Sequence, residues 1–229
     1  MSLTDSDDEG DTGASEALDV LPAVLIVTLG TRWLPHLPVL REFGSVDEGT
    51  KKIIEKLAKE VEETRCDPGE HRVSNAVKLL GLVDACDESF GVFMSDPGKD
   101  TSHLGMSAEV QEALWRQNKN FFTSMFGRAQ EAIKSGIRDN KRQVTMIAYC
   151  RSGRHRSVAS AEILAAVLRA EGYEASVVHA CNYWWKWVAC QKKARRYDVP
   201  CDSCVREITP GKAEIYGKAQ ELWRSLQSL

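Results

Sequence analysis

The chain has 229 residues, 43% hydrophobic and 28% charged, with a formal net charge of −3. That make-up suits a globular protein with one sizeable core and argues against wholesale coating of nucleic acid, though local basic patches stay open. No apolar run reaches the roughly 18–20 residues of a membrane span, and the acidic N-terminus lacks the basic-then-apolar order of a secretory signal, so an intracellular protein, cytoplasmic or nuclear, without a membrane partner is expected.

Residues 1–20 are acidic, rich in Ser and Gly and poor in large apolar side chains, which predicts a disordered leader. Residues 21–29 (LPAVLIVTL) form a continuous, β-branched run, as in a strand covered on both faces. It ends at Gly30-Thr31-Arg32, and Pro35 and Pro38 keep the next loop out of a helix. Residues 46–63 predict an amphipathic helix with Ile53, Ile54, Leu57 and Val61 as its apolar stripe, and residues 72–82 a shorter one. A short strand is expected at 90–94 and a loop at 95–105. Ser107 is the predicted N-cap of a helix running to 137, with Leu114, Phe121, Phe122, Met125, Phe126, Ala129 and Ile133 on its core side.

Residues 144–149 read as a buried strand and 157–170 as a helix stopped by Gly172, with Val158, Ala161, Ile163, Leu164, Val167 and Leu168 mostly on one face. Residues 175–179 predict a further strand, parallel to 144–149 across a right-handed crossover, and 212–226 a closing helix. This order predicts an α/β fold: a mainly parallel sheet with helices on both faces, plus a Cys-rich, zinc-stabilised C-terminal segment. The expected organisation is a leader at 1–20, an α/β phosphate-binding domain at 21–180, and a Cys/Trp/basic segment with the closing helix, 181–229, packed on that domain.

The eight residues Cys150, Arg151, Ser152, Gly153, Arg154, His155, Arg156 and Ser157 sit where a strand end turns into a helix N-terminus. Unpaired N–H groups and the positive end of the helix dipole converge there on an anion. Three arginines crowd the same turn, where positive charge opposes the dipole unless an anion relieves it. In this view the N–H groups of 152–156 form the cradle, Arg156 is the main charge, and His155 and Ser157 add directional hydrogen bonds. Arg32 and His36 lie at the same sheet edge as outer contacts if the first strand is parallel to 144–149.

The segment Cys150-Arg151-Ser152-Gly153-Arg154-His155-Arg156-Ser157-Val158 resembles the C-terminal domain of RapZ-type proteins, where a strand runs into Cys-Thr-Gly-Gly-x-His-Arg-Ser-Val. Gly30-Thr31-Arg32-Trp33-Leu34-Pro35-His36 looks like a divergent copy of that family's Asp-x-Arg-Phe-x-x-Asn-Pro-like segment, so the likeness spans about 24–179. It implies an α/β sandwich whose loop holds a sugar phosphate, glucosamine-6-phosphate in the bacterial relatives, where the ligand signals to an RNA-binding adaptor. Gly30 replaces an acidic residue and Arg151-Ser152 replaces Thr-Gly, leaving the sugar open. No Walker A segment accompanies it, so no nucleotide cofactor is implied.

The same Cys-x5-Arg-Ser spacing is similar to that of cysteine-dependent phosphatases. There Cys150 would be the nucleophile, Arg156 the phosphate clamp and Asp96 the general acid. A third possibility is a buried cysteine at a strand end with solvated arginines.

Cys201 and Cys204 form a Cys-x-x-Cys pair, and with Cys181 and Cys190, or His179 as alternate, they offer four ligands for a structural zinc ion. Trp184, Trp185 and Trp187 interleave with Lys186, and Lys192, Lys193, Arg195 and Arg196 follow. Such a stretch either stacks on RNA bases or builds a tryptophan-rich core around the metal with a basic rim.

Overall fold

A computed structural model describes residues 21–30, 86–97, 103–179, 185, 190, 201–204 and 208–228. The helices expected at 46–63 and 72–82, together with Arg32, His36 and Cys181, lie outside the described residues.

Four strands build one parallel sheet: β1 (Ala23–Gly30), β2 (Glu88–Gly91), β3 (Gln143–Cys150) and β4 (Ala175–His179). Their order is β2-β3-β1-β4. The last strand has the bounds and direction expected of it, but it pairs with β1, which stands between it and β3. The expected 90–94 strand begins and ends earlier, at Glu88–Gly91, where Asp87 N–H donates to the Thr145 carbonyl at 2.8 Å and starts the pairing. Registers Gly30↔Cys150, Gly91↔Tyr149 and Thr28↔His179 bring the carboxyl ends of all four strands to one edge, where open α/β sheets bind ligands.

Four longer helices are described: α1 (Ala108–Gln117), α2 (Lys119–Arg138), α3 (Arg156–Ala170) and α4 (Pro210–Gln227). They share a core with Val24 and Ile26 of β1, Val144, Met146 and Ala148 of β3, and Ala175 and Val177 of β4. Within each strand these residues alternate, and the registers Val24↔Val144 and Val24↔Ala175 put them on the same side, so the described helices gather on one face of the sheet. The expectation of helices on both faces is thus met for one face among the described residues.

Ser107 caps α1 as expected, its Oγ accepting from Val110 N–H at 3.3 Å. The single helix expected from there to 137 is instead two. At Asn118 (φ −135°, ψ 42°) the chain leaves the helical region, and the amide side chain donates back to the Leu114 carbonyl at 2.9 Å. The second helix opens beside the sheet and closes the core with Phe122, Met125, Phe126, Ala129 and Ile133.

Helix α3 departs from the one-sided stripe read in its sequence. It runs between the sheet and the pair α1 and α4, so even Ser160 and Glu162 are buried. Gly172, at φ +88°, ends it, and Tyr173 N–H returns to the Leu168 carbonyl at 3.0 Å. Helix α4 starts two residues before its expected position because Thr209 caps it and Pro210 takes the first turn.

Candidate functional site

The turn from β3 into α3 rests on β1 through two glycines. A Cβ placed on Gly30 would lie 2.6 Å from the Ser152 carbonyl carbon and 2.7 Å from Gly153 N. One placed on Gly153 would lie 2.6 Å from Gly30 N, and Gly153 also has φ +63°. Backbone thus packs directly on backbone. The Gly30 that departs from the RapZ pattern is the residue that admits this contact.

The carbonyls of the turn are anchored inside the protein. Gly153 O accepts from Trp185 Nε1 at 3.1 Å, Arg154 O from Gly105 N at 2.8 Å, and His155 O from Ala159 N at 2.8 Å. In a planar trans peptide the next residue's N–H points opposite to its carbonyl. Anchoring the carbonyls of Arg154 and His155 therefore turns the N–H groups of His155 and Arg156 the other way. Among the described residues, the N–H groups of Ser152, His155 and Arg156 meet no acceptor. Gly153 N–H donates to Cys150 Sγ at 3.3 Å.

Cys150 is 1% exposed, with its Sγ 3.2 Å from Ser157 Oγ. Ser157 Oγ in turn donates to the Leu29 carbonyl at 3.4 Å. The segment after β2 closes one side of the turn. The Asp96 carboxylate meets His155 Nδ1 at 3.0 and 3.1 Å, and Arg156 Nη1 donates to the Met94 carbonyl at 2.5 Å. Asp96 is therefore brought to the loop, with its carboxylate on an imidazole. His155 Nε2 and Arg156 Nε are buried with no hydrogen-bond partner among the described residues. Arg154 is half-buried. Burial pushes its guanidinium below the ordinary range, while Asp96 and Cys150 nearby oppose that shift.

Met94 also lines an open cleft of about 680 Å³, walled by Gly91, Phe93, Asn118 and Phe121, with Arg116 and Lys119 beside them. Its lining comes from the β2 end and the break between α1 and α2. Neither pattern announced a cavity.

A second cluster lies next to the turn. The ligand atoms of His103, Cys190, Cys201 and Cys204 all fall within 4.8 Å of one another. Cys190 Sγ is 3.7 Å from Cys204 Sγ, and His103 Nδ1 is 3.3 Å from Cys201 Sγ and 3.7 Å from Cys204 Sγ. Burial pushes the Cys190 and Cys204 thiols upward, and the Cys201 sulfur beside them adds to the effect. This group could hold a metal ion. Of the expected ligands, Cys190, Cys201 and Cys204 come together, and Cys181 lies outside the described residues. His179 stands apart, with Nδ1 on Thr28 Oγ1 and Nε2 on Glu162 Oε1, both at 2.9 Å. His103 joins from 98 positions before Cys201, a separation that no local spacing rule would pick out.

Trp185 is 3% exposed, packed among Leu104, Met106, Val158, Cys190 and Cys204. Within the stretch considered for RNA, this tryptophan serves the core around the cysteines; the Lys and Arg residues at 192–196 lie outside the described residues. Among the described residues, no helix is long and apolar enough to cross a membrane.

Comparison with known proteins places likeness on this same region. Residues 92–181 match the family described as the RapZ C-terminal domain. The chain is 40% identical over 77 residues to a nucleotide-binding protein of Streptomyces avermitilis, covering 33% of this chain and 26% of that protein. A nucleotide-binding protein of Streptomyces coelicolor gives the same figures, and one of Streptomyces griseus is 38% identical over 77 residues, 23% of its length. The matched segment thus spans about a quarter of those curated relatives. No solved structure matches the chain.

Proposed function

We propose that residues 150–157 bind the phosphate of a phosphorylated small molecule, sugar-phosphate-like in character, as a sensor site. One observation carries this: the carbonyls of Arg154 and His155 are held inward, so the following N–H groups face away from the protein's own acceptors. Arg154 and Arg156 supply charge beside these amides, and the Met94 cleft offers room for the rest of the ligand. Arg32 and His36, proposed as outer contacts, come two and six residues after Gly30, the β1 residue that pairs with Cys150. The RapZ likeness of residues 92–181 and the names of the relatives agree with a phosphorylated ligand.

A phosphatase is the competing reading, favoured by the hydrogen bonds that Cys150 Sγ receives from Gly153 and shares with Ser157. Against it, Cys150 is 1% exposed and Asp96 is engaged by His155. Calorimetric titration with inorganic phosphate and with a hexose phosphate separates the two. In the binding case wild type and Cys150→Ser bind alike, whereas Arg154→Ala and Arg156→Ala each weaken binding about tenfold or more, as loss of a charge-assisted hydrogen bond does. Absence of binding by wild type refutes the proposal, and Cys150-dependent hydrolysis of a generic phosphate ester establishes the enzyme.

For the second cluster we propose a structural zinc ion. Three sulfurs and one imidazole nitrogen suit a tetrahedral, closed structural site.

A further inference from the structure

The cysteine cluster and the anion loop are joined by two short struts, each running from a metal donor to a loop carbonyl. The first starts at His103. Leu104 N–H donates to Cys204 Sγ at 3.1 Å, and the next residue, Gly105, donates to Arg154 O at 2.8 Å. Gly105 is pressed so closely on the start of α3 that a Cβ there would lie 2.1 Å from His155 O and 2.6 Å from Ala159 N. The second strut is Trp185. Its ring packs with Leu104, Val158, Cys190 and Cys204, and its Nε1 holds Gly153 O at 3.1 Å. These carbonyls are part of the anchoring that orients the loop's peptide planes.

The donor spacing fits an ion. An ion about 2.3 Å from two sulfurs in a tetrahedron holds them about 3.8 Å apart, close to the 3.7 Å between Cys190 Sγ and Cys204 Sγ. A disulfide would need them at about 2.05 Å. The four donors come from three separate stretches, and among the described residues their side chains meet through weak thiol hydrogen bonds. With an ion bound, both struts are fixed at their far ends.

We propose that metal binding by His103, Cys190, Cys201 and Cys204 sets the conformation of the 150–157 loop, so that its affinity for phosphate depends on the metal. This rests on the reading of the loop as a phosphate site and of the cluster as a zinc site. It adds that the two sites are energetically coupled, each raising occupancy of the other.

The test uses the full chain, stripped by a chelator and then reloaded with zinc, or with cobalt as a visible reporter of tetrahedral sulfur ligation. Loading is expected to slow amide exchange of the 103–106 and 150–157 peptides at least tenfold with no anion present. Stripping should weaken inorganic phosphate binding at least tenfold, and one equivalent of zinc should restore it. Trp185→Phe keeps all four donors while cutting one strut. It should bind metal normally yet bind phosphate severalfold more weakly, which covers the case in which stripping unfolds the chain. Equal exchange at 150–157 with and without metal overturns the proposal. So does unchanged phosphate affinity in Trp185→Phe, or cobalt taken up without tetrahedral bands. Metal-slowed exchange in a protein that never binds phosphate refutes the phosphate site and leaves the metal-to-loop coupling standing.

Discussion

Gly153→Ala is expected to destabilise the protein by about 3–5 kcal/mol and to abolish phosphate binding. Gly153 lies at φ +63°, where a Cβ costs about 1 kcal/mol before any contact is counted. The new atom would then meet Gly30 N at 2.6 Å and Gly30 Cα at 2.8 Å, both backbone atoms of a central strand. Neither can yield as a flexible side chain would. The turn must lift off β1, taking with it the Gly153 carbonyl on Trp185 and the N–H contact to Cys150. Urea unfolding gives the loss of stability, and calorimetry at a temperature where the variant is still folded gives the loss of binding. Gly127→Ala is the control: nothing lies within 4 Å of a Cβ there, it sits inside α2, and the change should be neutral or slightly stabilising.

Glu162→Ala should cost about 3–5 kcal/mol, the range for removing a carboxylate from a buried polar network that includes a lysine. The Glu162 carboxylate accepts from His179 Nε2, His179 Nδ1 pairs with Thr28 Oγ1, and Trp185 lies on the imidazole at 5.2 Å between ring centres. Lys212, 1% exposed, has its ammonium pushed down by burial and up by the nearby Glu162 carboxylate. Deleting the carboxylate thus leaves an imidazole and an ammonium without it in a dry setting. Glu171→Ala offers the contrast. Its partner Arg224 is 61% exposed, and the change should cost under about 1 kcal/mol. Urea midpoints for the two variants, with equal slopes, check the comparison. A Glu162→Ala midpoint matching that of Glu171→Ala would show that this buried chain contributes little.

The parts of the fold written in single stretches were legible. The runs at 21–29, 144–149 and 175–179 are β-branched and turn-bounded, and each became a strand within a residue or two of its expected bounds. Ser107 and Gly172 marked helix ends because capping chemistry is local. The features that the pattern hid depend on partners far along the chain. Nothing within β1 shows that it pairs with both β3 and β4. The apolar stripe continues across residue 118, so the break became visible only through Asn118's bond to Leu114.

The site divides in the same way. The strand-loop-helix seat of 150–157 was readable from charge and glycine content, but its supports were not. Gly30, Gly105 and Trp185 act through backbone contacts at long separation. Asp96 drew attention as an acid for Cys150, and the structure places it on His155. His103 carries no sequence signal as a ligand, being separated from Cys190, Cys201 and Cys204 by two strands and three helices among the described residues alone.

The most direct test titrates isotope-labelled protein with inorganic phosphate while following its backbone amide resonances. The resonances of Ser152, His155 and Arg156 are expected to move together and saturably, those of α4 staying in place. Phosphate that binds while these three amides stand still, or that fails to bind at all, would contradict a cradle at residues 150–157.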